Sequence, residues 1–189
     1  MTDDPLRWRV SPAHTLLTIV PFPFLKLAKR RRLQVSVLQN VREFHLSMAL
    51  ELVAFLAVLV PIARNLPPKD ATWIPAALAG VWIYSVLAGR WFARRPLADD
   101  SAVHLAAAYR TAYFLQAAFA TSLALWGFVA VFIIGRLWPY LVGMPAAEAW
   151  LWAVGPTTAN IERVERGRRE AGSRNSLIDA ITAPPAPGM

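Results

Sequence analysis

Four stretches of this chain are each about twenty residues long and nearly free of charge, and a stretch of that length and character crosses a bilayer. Hydrocarbon holds no water to satisfy an exposed N–H or C=O, so each stretch must close its hydrogen bonds within itself as a helix. A transmembrane barrel would need short alternating strands, a pattern the chain does not carry. Composition agrees: 56% of residues are hydrophobic and 17% charged, against about 25% charged in soluble domains. The expected fold is therefore all-α, a polytopic integral membrane protein of about four transmembrane helices with both termini cytoplasmic.

The spans are expected over about 44–63, 71–92, 111–135 and 137–154, inside a membrane domain of residues 44–155. The first ends at Arg64 and the turn signal Asn65-Leu66-Pro67-Pro68, and its start can reach back to Leu33. The second carries Pro75 in its first turn, where the missing N–H costs nothing, and Trp73 and Trp91 near opposite ends, as interfacial belts require. Asp99, Asp100 and Ser101 start a third helix that runs to Gly135. At 1.5 Å per residue it would reach about 50 Å, so its first turns stand in water before the span begins near Thr111. The fourth span is interrupted by Pro139, Gly143, Pro145 and Glu148, which leaves a bent or re-entrant helix as the alternative.

Positive charge is retained on the cytoplasmic side, so the placement of the 20 Lys and Arg residues tests the span number. Residues 1–43 hold 8, the connection between the second and third spans 4, and the tail 5. The remaining two connections hold 2 and 1. An odd number of spans would put the five arginines of the tail outside. The lopsided distribution favours four or two spans, and two would strand long apolar helices in water, so four spans in the cytoplasmic (inner) membrane are expected.

The net charge of +8 points to membrane edges, where the basic residues cluster, and no helix-turn-helix or RNA-recognition pattern accompanies it, so nucleic acid is not an expected partner. Residues 1–43 form a basic cytoplasmic or interfacial segment. Prolines interrupt its apolar stretch and the strongest positive run follows that stretch, so it does not read as a cleavable signal. Lys26, Lys29, Arg30, Arg31 and Arg32 lie beside Phe22, Phe24, Leu25 and Leu27, a combination suited to anionic lipid headgroups; the competing reading is a positive flank that only sets topology. Residues 156–189 read as a charged cytoplasmic helix, solvated beside the membrane, followed by a disordered Pro-rich end.

With no cysteine, thiolate catalysis, iron–sulfur clusters and Cys-ligated zinc are excluded. The three histidines, His14, His45 and His104, form no ligand pair at metal spacing, and neither GxSxG nor a phosphate-binding glycine loop is present. No cofactor, metal or catalytic site is expected, and the chain does not read as an enzyme. Ionisable residues inside spans are functional candidates because they are costly there, which singles out Glu51 and Glu148. Gln116 and Thr121 are the polar candidates of the third helix. Ala120, Ala124 and Gly127 share one of its faces and would let another helix approach closely, either within the bundle or in an oligomer.

Residues 121–130, Thr-Ser-Leu-Ala-Leu-Trp-Gly-Phe-Val-Ala, resemble the second helix of the rotary ATP synthase c subunit family, whose pattern is an acid, a small residue, apolar residues, an aromatic and Gly. Thr121 stands at the position of the ion-carrying acid, and the glycine-rich first helix of that family has no counterpart here. The arrangement also resembles four-helix bacterial membrane proteins of unknown function with a c-subunit-like third helix and a charged tail ending in Ser-Leu, here Ser176-Leu177. The resemblance implies a helical hairpin packed through small residues, without ion translocation by the family's mechanism. The expected role is a non-catalytic structural or accessory component of a membrane assembly, with a membrane-protein partner or a homo-oligomer. The alternative is a small transporter or proton pathway through Glu51 or Glu148.

Overall fold

The computed structural model describes residue 6 and residues 36–97 and 101–183. The basic cluster Lys26 to Arg32, the Asp99-Asp100 pair and the Pro-rich end lie outside the described residues. Among the described residues six helices follow one another: α1 (Val37–Asn65), α2 (Ile74–Ala93), α3 (Ala102–Ile134), α4 (Trp138–Val154), α5 (Thr158–Glu170) and α6 (Leu177–Thr182). Among the described residues there is no strand. Of the helices among the described residues three, α1, α2 and α3, are long and apolar enough to cross a membrane.

The helix ends follow local chemistry. Ser36 accepts the Gln39 N–H at the start of α1, and at its other end the Asn65 carboxamide donates to the Pro61 carbonyl at 3.0 Å. Pro75 sits in the first turn of α2, where no side chain caps the end. Ser101 accepts the His104 N–H at 3.2 Å to open α3, which closes on Gly135 at φ +65°. Thr157 and Ser176 cap α5 and α6 in the same way as Ser101 caps α3, each through its side-chain oxygen. α3 has 33 residues, so it is about 50 Å long. α4 has only 17, or about 25 Å, and contains Pro145.

The chain divides into two compact units. The first draws on residues 1–47, 96–113 and 155–189; the second consists of residues 48–95 and 114–154. In the first, Leu38 of α1, Leu105 and Tyr109 of α3, Ile161 of α5, and Leu177 and Ile181 of α6 form a buried apolar cluster that also takes in Leu6. The charged helix expected within residues 156–189 reads as solvated, yet Ile161 and Glu165, four residues apart and hence on one face of α5, are both buried.

In the second unit, Ile74 and Leu78 of α2 pack with Ala130 and Ile134 of α3. Phe128 of α3 meets Phe55 of α1 at 5.5 Å and Tyr140 of α4 at 6.2 Å between ring centres. The α1–α2 and α3–α4 connections lie together: the Lys69 N–H donates to the Ile134 carbonyl at 2.9 Å, and Arg136 pairs with Asp70 at 3.4 Å.

Candidate functional site

Two polar sites emerge, one in each unit. In the first, the guanidinium of Arg42 is buried and donates to two backbone carbonyls remote in sequence, Leu6 at 2.7 Å and Pro156 at 3.2 Å. Thr158 donates to the same Leu6 carbonyl at 3.2 Å. One turn along α1 from Arg42, His45 is fully buried, with Nδ1 2.9 Å from the Tyr113 hydroxyl. Glu165 completes the set. Its Oε2 accepts the Leu177 N–H at 2.8 Å, its Oε1 accepts Arg169 Nε at 2.8 Å, and Arg168 lies 3.8 Å away. The carboxylate thereby takes an otherwise unmatched donor at the start of α6 and offsets two arginines of α5.

The second unit holds most of the residues singled out in the sequence. Ala120 and Ala124 are fully buried on α3, and Gly127 is buried on the same helix. A Cβ built on Gly127 would lie 2.6 Å from the Pro139 carbonyl oxygen, so the backbones of α3 and α4 meet here at a distance only glycine permits. Gly143 of α4 does the same against α3, with a Cβ falling 2.5 Å from the Leu123 carbonyl oxygen. Trp82 of α2 donates its indole N–H to that same carbonyl at 3.1 Å, so Leu123 joins three helices at one point. Ser122 of α3 meets Ser85 of α2 at 2.9 Å. Thr121 is buried and donates back to the Ala117 carbonyl at 2.9 Å, within its own helix. Gln116 is half-buried.

The two candidate carboxylates have different surroundings. Glu51 is exposed on α1. Glu148 is half-buried on α4, bonded by Trp152, and its Oε1 is buried with no hydrogen-bond partner among the described residues. Tyr140, two turns earlier on α4, donates its hydroxyl to the Leu52 carbonyl of α1. Among the described residues no three His, Asp or Glu side chains come together in a group that could hold a metal.

Arg42, Glu165, Trp82 and Tyr140 carry the most consequential polar contacts, and none was singled out from the sequence as a site residue. For Glu165 a signal existed: an acid four residues after Ile161 belongs to the inward face of its helix. For Arg42 none did, because an arginine before an apolar run looks like any topogenic flank, and its partners lie 36 and 114 residues away. Comparisons with protein-family models, curated proteins and solved structures find no match for the chain.

Proposed function

We propose that the chain is a non-catalytic four-helix protein of the bacterial cytoplasmic membrane, with both termini cytoplasmic and a structural or accessory role in a larger membrane assembly. The observation that carries the reading is where the polar side chains of the second unit go. Trp82, Ser122 and Tyr140 bond to neighbouring helices, and Thr121 bonds to its own backbone. They stand beside two glycine-mediated backbone contacts, the packing mode of helices that associate in lipid. The c-subunit-like pattern over residues 121–130 supports the same close-packed hairpin, with Thr121 in place of an ion-carrying acid.

The same helices expose large apolar side chains, among them Leu50 and Val53, Ile83 and Leu87, Trp126 and Val129, and Leu141 and Val142, which suit lipid or partner helices. Those on α4 support counting it as a fourth span despite its length, since a bilayer thins locally around a short helix. The two connections that lie together in the second unit are the two poorest in positive charge, which supports the N-in, C-in arrangement.

The test is affinity purification in native lipid particles followed by native mass spectrometry. A partner protein at fixed stoichiometry is expected; a lone monomer refutes the assembly role. Orientation is tested separately, because the chain lacks cysteine and single cysteines can be added at either end. Both should resist an impermeant maleimide in intact cells, and labelling of either one overturns the topology.

The buried, unpartnered oxygen of Glu148 favours a second reading, a proton or solute pathway beside α4. Glu51, exposed on α1, supports it less. Flux into proteoliposomes that is unchanged by Glu148→Gln and by Glu51→Gln would eliminate it.

A further inference from the structure

The C-terminal end of α2 gathers three arginines, Arg90, Arg94 and Arg95, all exposed. No carboxylate of a described residue pairs with any of them, whereas Arg136, Arg168 and Arg169 of the same chain each have one. Arg90 lies in the last turn of α2, Arg94 is its C-cap and Arg95 follows just past the helix end. The Arg95 guanidinium carbon rests 3.9 Å from the centre of the Trp91 ring and 4.8 Å from that of Phe92. Those rings are themselves fixed, since Trp91 meets Phe92 edge-on at 4.8 Å and Phe92 stacks on Phe119 of α3 at 5.6 Å. One cation is thus held in place by aromatic faces with two more beside it, none of them paired with a carboxylate of a described residue.

Three clustered guanidiniums repel one another and favour an anion, and planar guanidinium matches the paired oxygens of a phosphodiester. The location selects the source of that anion. The cluster ends a helix long and apolar enough to cross a membrane, and Ile83, Tyr84 and Leu87 are exposed along the turns before it. Acyl chains fit those side chains, and a headgroup then arrives at the level of the arginines. Trp91, 56% exposed, has the amphipathic ring that settles at headgroup depth.

We propose that Arg90, Arg94 and Arg95, with Trp91 as the platform for Arg95, form a binding site for the phosphodiester headgroup of an anionic phospholipid. The site rests on α2 crossing a bilayer and does not depend on the assembly role. It is also separate from the basic segment of residues 26–32, the lipid-binding candidate of the sequence.

Native mass spectrometry of the full chain in detergent, titrated with phosphatidylglycerol or with phosphatidylcholine of the same acyl chains, tests it. Phosphatidylglycerol adducts should predominate. Replacing the arginines by Gln should weaken them by about fivefold per residue, so that the triple variant loses roughly a hundredfold. Trp91→Leu, which keeps all three charges, should cost about two- to fivefold by releasing Arg95. The pair Arg163→Gln and Arg166→Gln on α5 removes exposed charge elsewhere and should leave the adducts unchanged. Unchanged adducts in the triple variant, or an equal loss per charge in the α5 pair, overturns the site. Displacement of bound lipid by millimolar glycerol phosphate would assign the arginines to a free anion and overturn the lipid. Recovery of each variant in the membrane fraction reads bilayer placement on its own: loss of wild-type chain from that fraction refutes the premise, not the headgroup contact.

Discussion

Two glycines in the interiors of neighbouring helices are expected to respond unequally to the same methyl group. Gly80 of α2 faces open space, with nothing within 4 Å of an added Cβ. Gly127 of α3 faces backbone: the Cβ would lie 2.6 Å from the Pro139 carbonyl oxygen, 3.0 Å from its carbon and 3.1 Å from the Tyr140 Cα. Both substitutions gain the intrinsic helical preference of alanine over glycine, about 1 kcal/mol in an aqueous helix. Gly127→Ala alone must push two helix backbones apart, because carbonyl and Cα atoms have no rotamer to change, and overpacking of this kind costs about 1–3 kcal/mol. The propensity gain is common to both variants and cancels in their difference, which leaves the steric cost. Gly80→Ala is therefore expected to be neutral or stabilising, and Gly127→Ala to fall about 1–3 kcal/mol below it. Reversible unfolding of the purified protein in mixed micelles, titrated with SDS, measures the difference. Equal stabilities would refute the close approach of α3 and α4 at Gly127, and with it the packing on which the proposed function relies.

Three further outcomes follow from the polar contacts. Arg42→Met should destabilise the first unit by about 1–3 kcal/mol, because the Pro156 carbonyl loses the Arg42 donor and the Leu6 carbonyl keeps only Thr158; a melting temperature equal to that of the parent in detergent would contradict this. Glu165→Gln should cost about 1–3 kcal/mol locally, and the amides of α6 should exchange hydrogen faster; unchanged protection of residues 177–182 would show that the Leu177 N–H does not depend on the carboxylate. Trp82→Phe should cost only about 0.6–1.7 kcal/mol for the lost bond to Leu123, since helix-to-helix hydrogen bonds in lipid are modest; a loss above about 3 kcal/mol would assign the role to ring volume instead.

The helices themselves were legible in the chain. A bilayer-length apolar run has one way to satisfy its backbone, so the windows around α1, α2 and α3 could be read without knowing any neighbour. Ser101 and Thr157 act as caps through bonds three residues away, again a local matter. The charged run of α5 was less transparent. Its composition suggested a solvated helix, and only the four-residue spacing of Ile161 and Glu165 hinted at the buried face. The two acids most open to a functional reading, Glu51 and Glu148, look alike in sequence, each a lone carboxylate in an apolar stretch. Their different surroundings depend on which face of α1 and of α4 other helices cover, and α3 and α4 are so apolar all round that periodicity leaves that face undefined.

What this sequence determined by itself was an all-helical chain with helices long and apolar enough for a membrane, because hydrogen bonds within a helix close over four residues and need no distant partner. Tertiary structure alone decided that Arg42 would gather the carbonyls of Leu6 and Pro156, that Glu165 would receive the start of α6, and that Leu123 would be met by both Trp82 and Gly143. Each of these joins groups far apart in the chain, and such pairs form only once packing has brought their backbones within a few ångströms of one another.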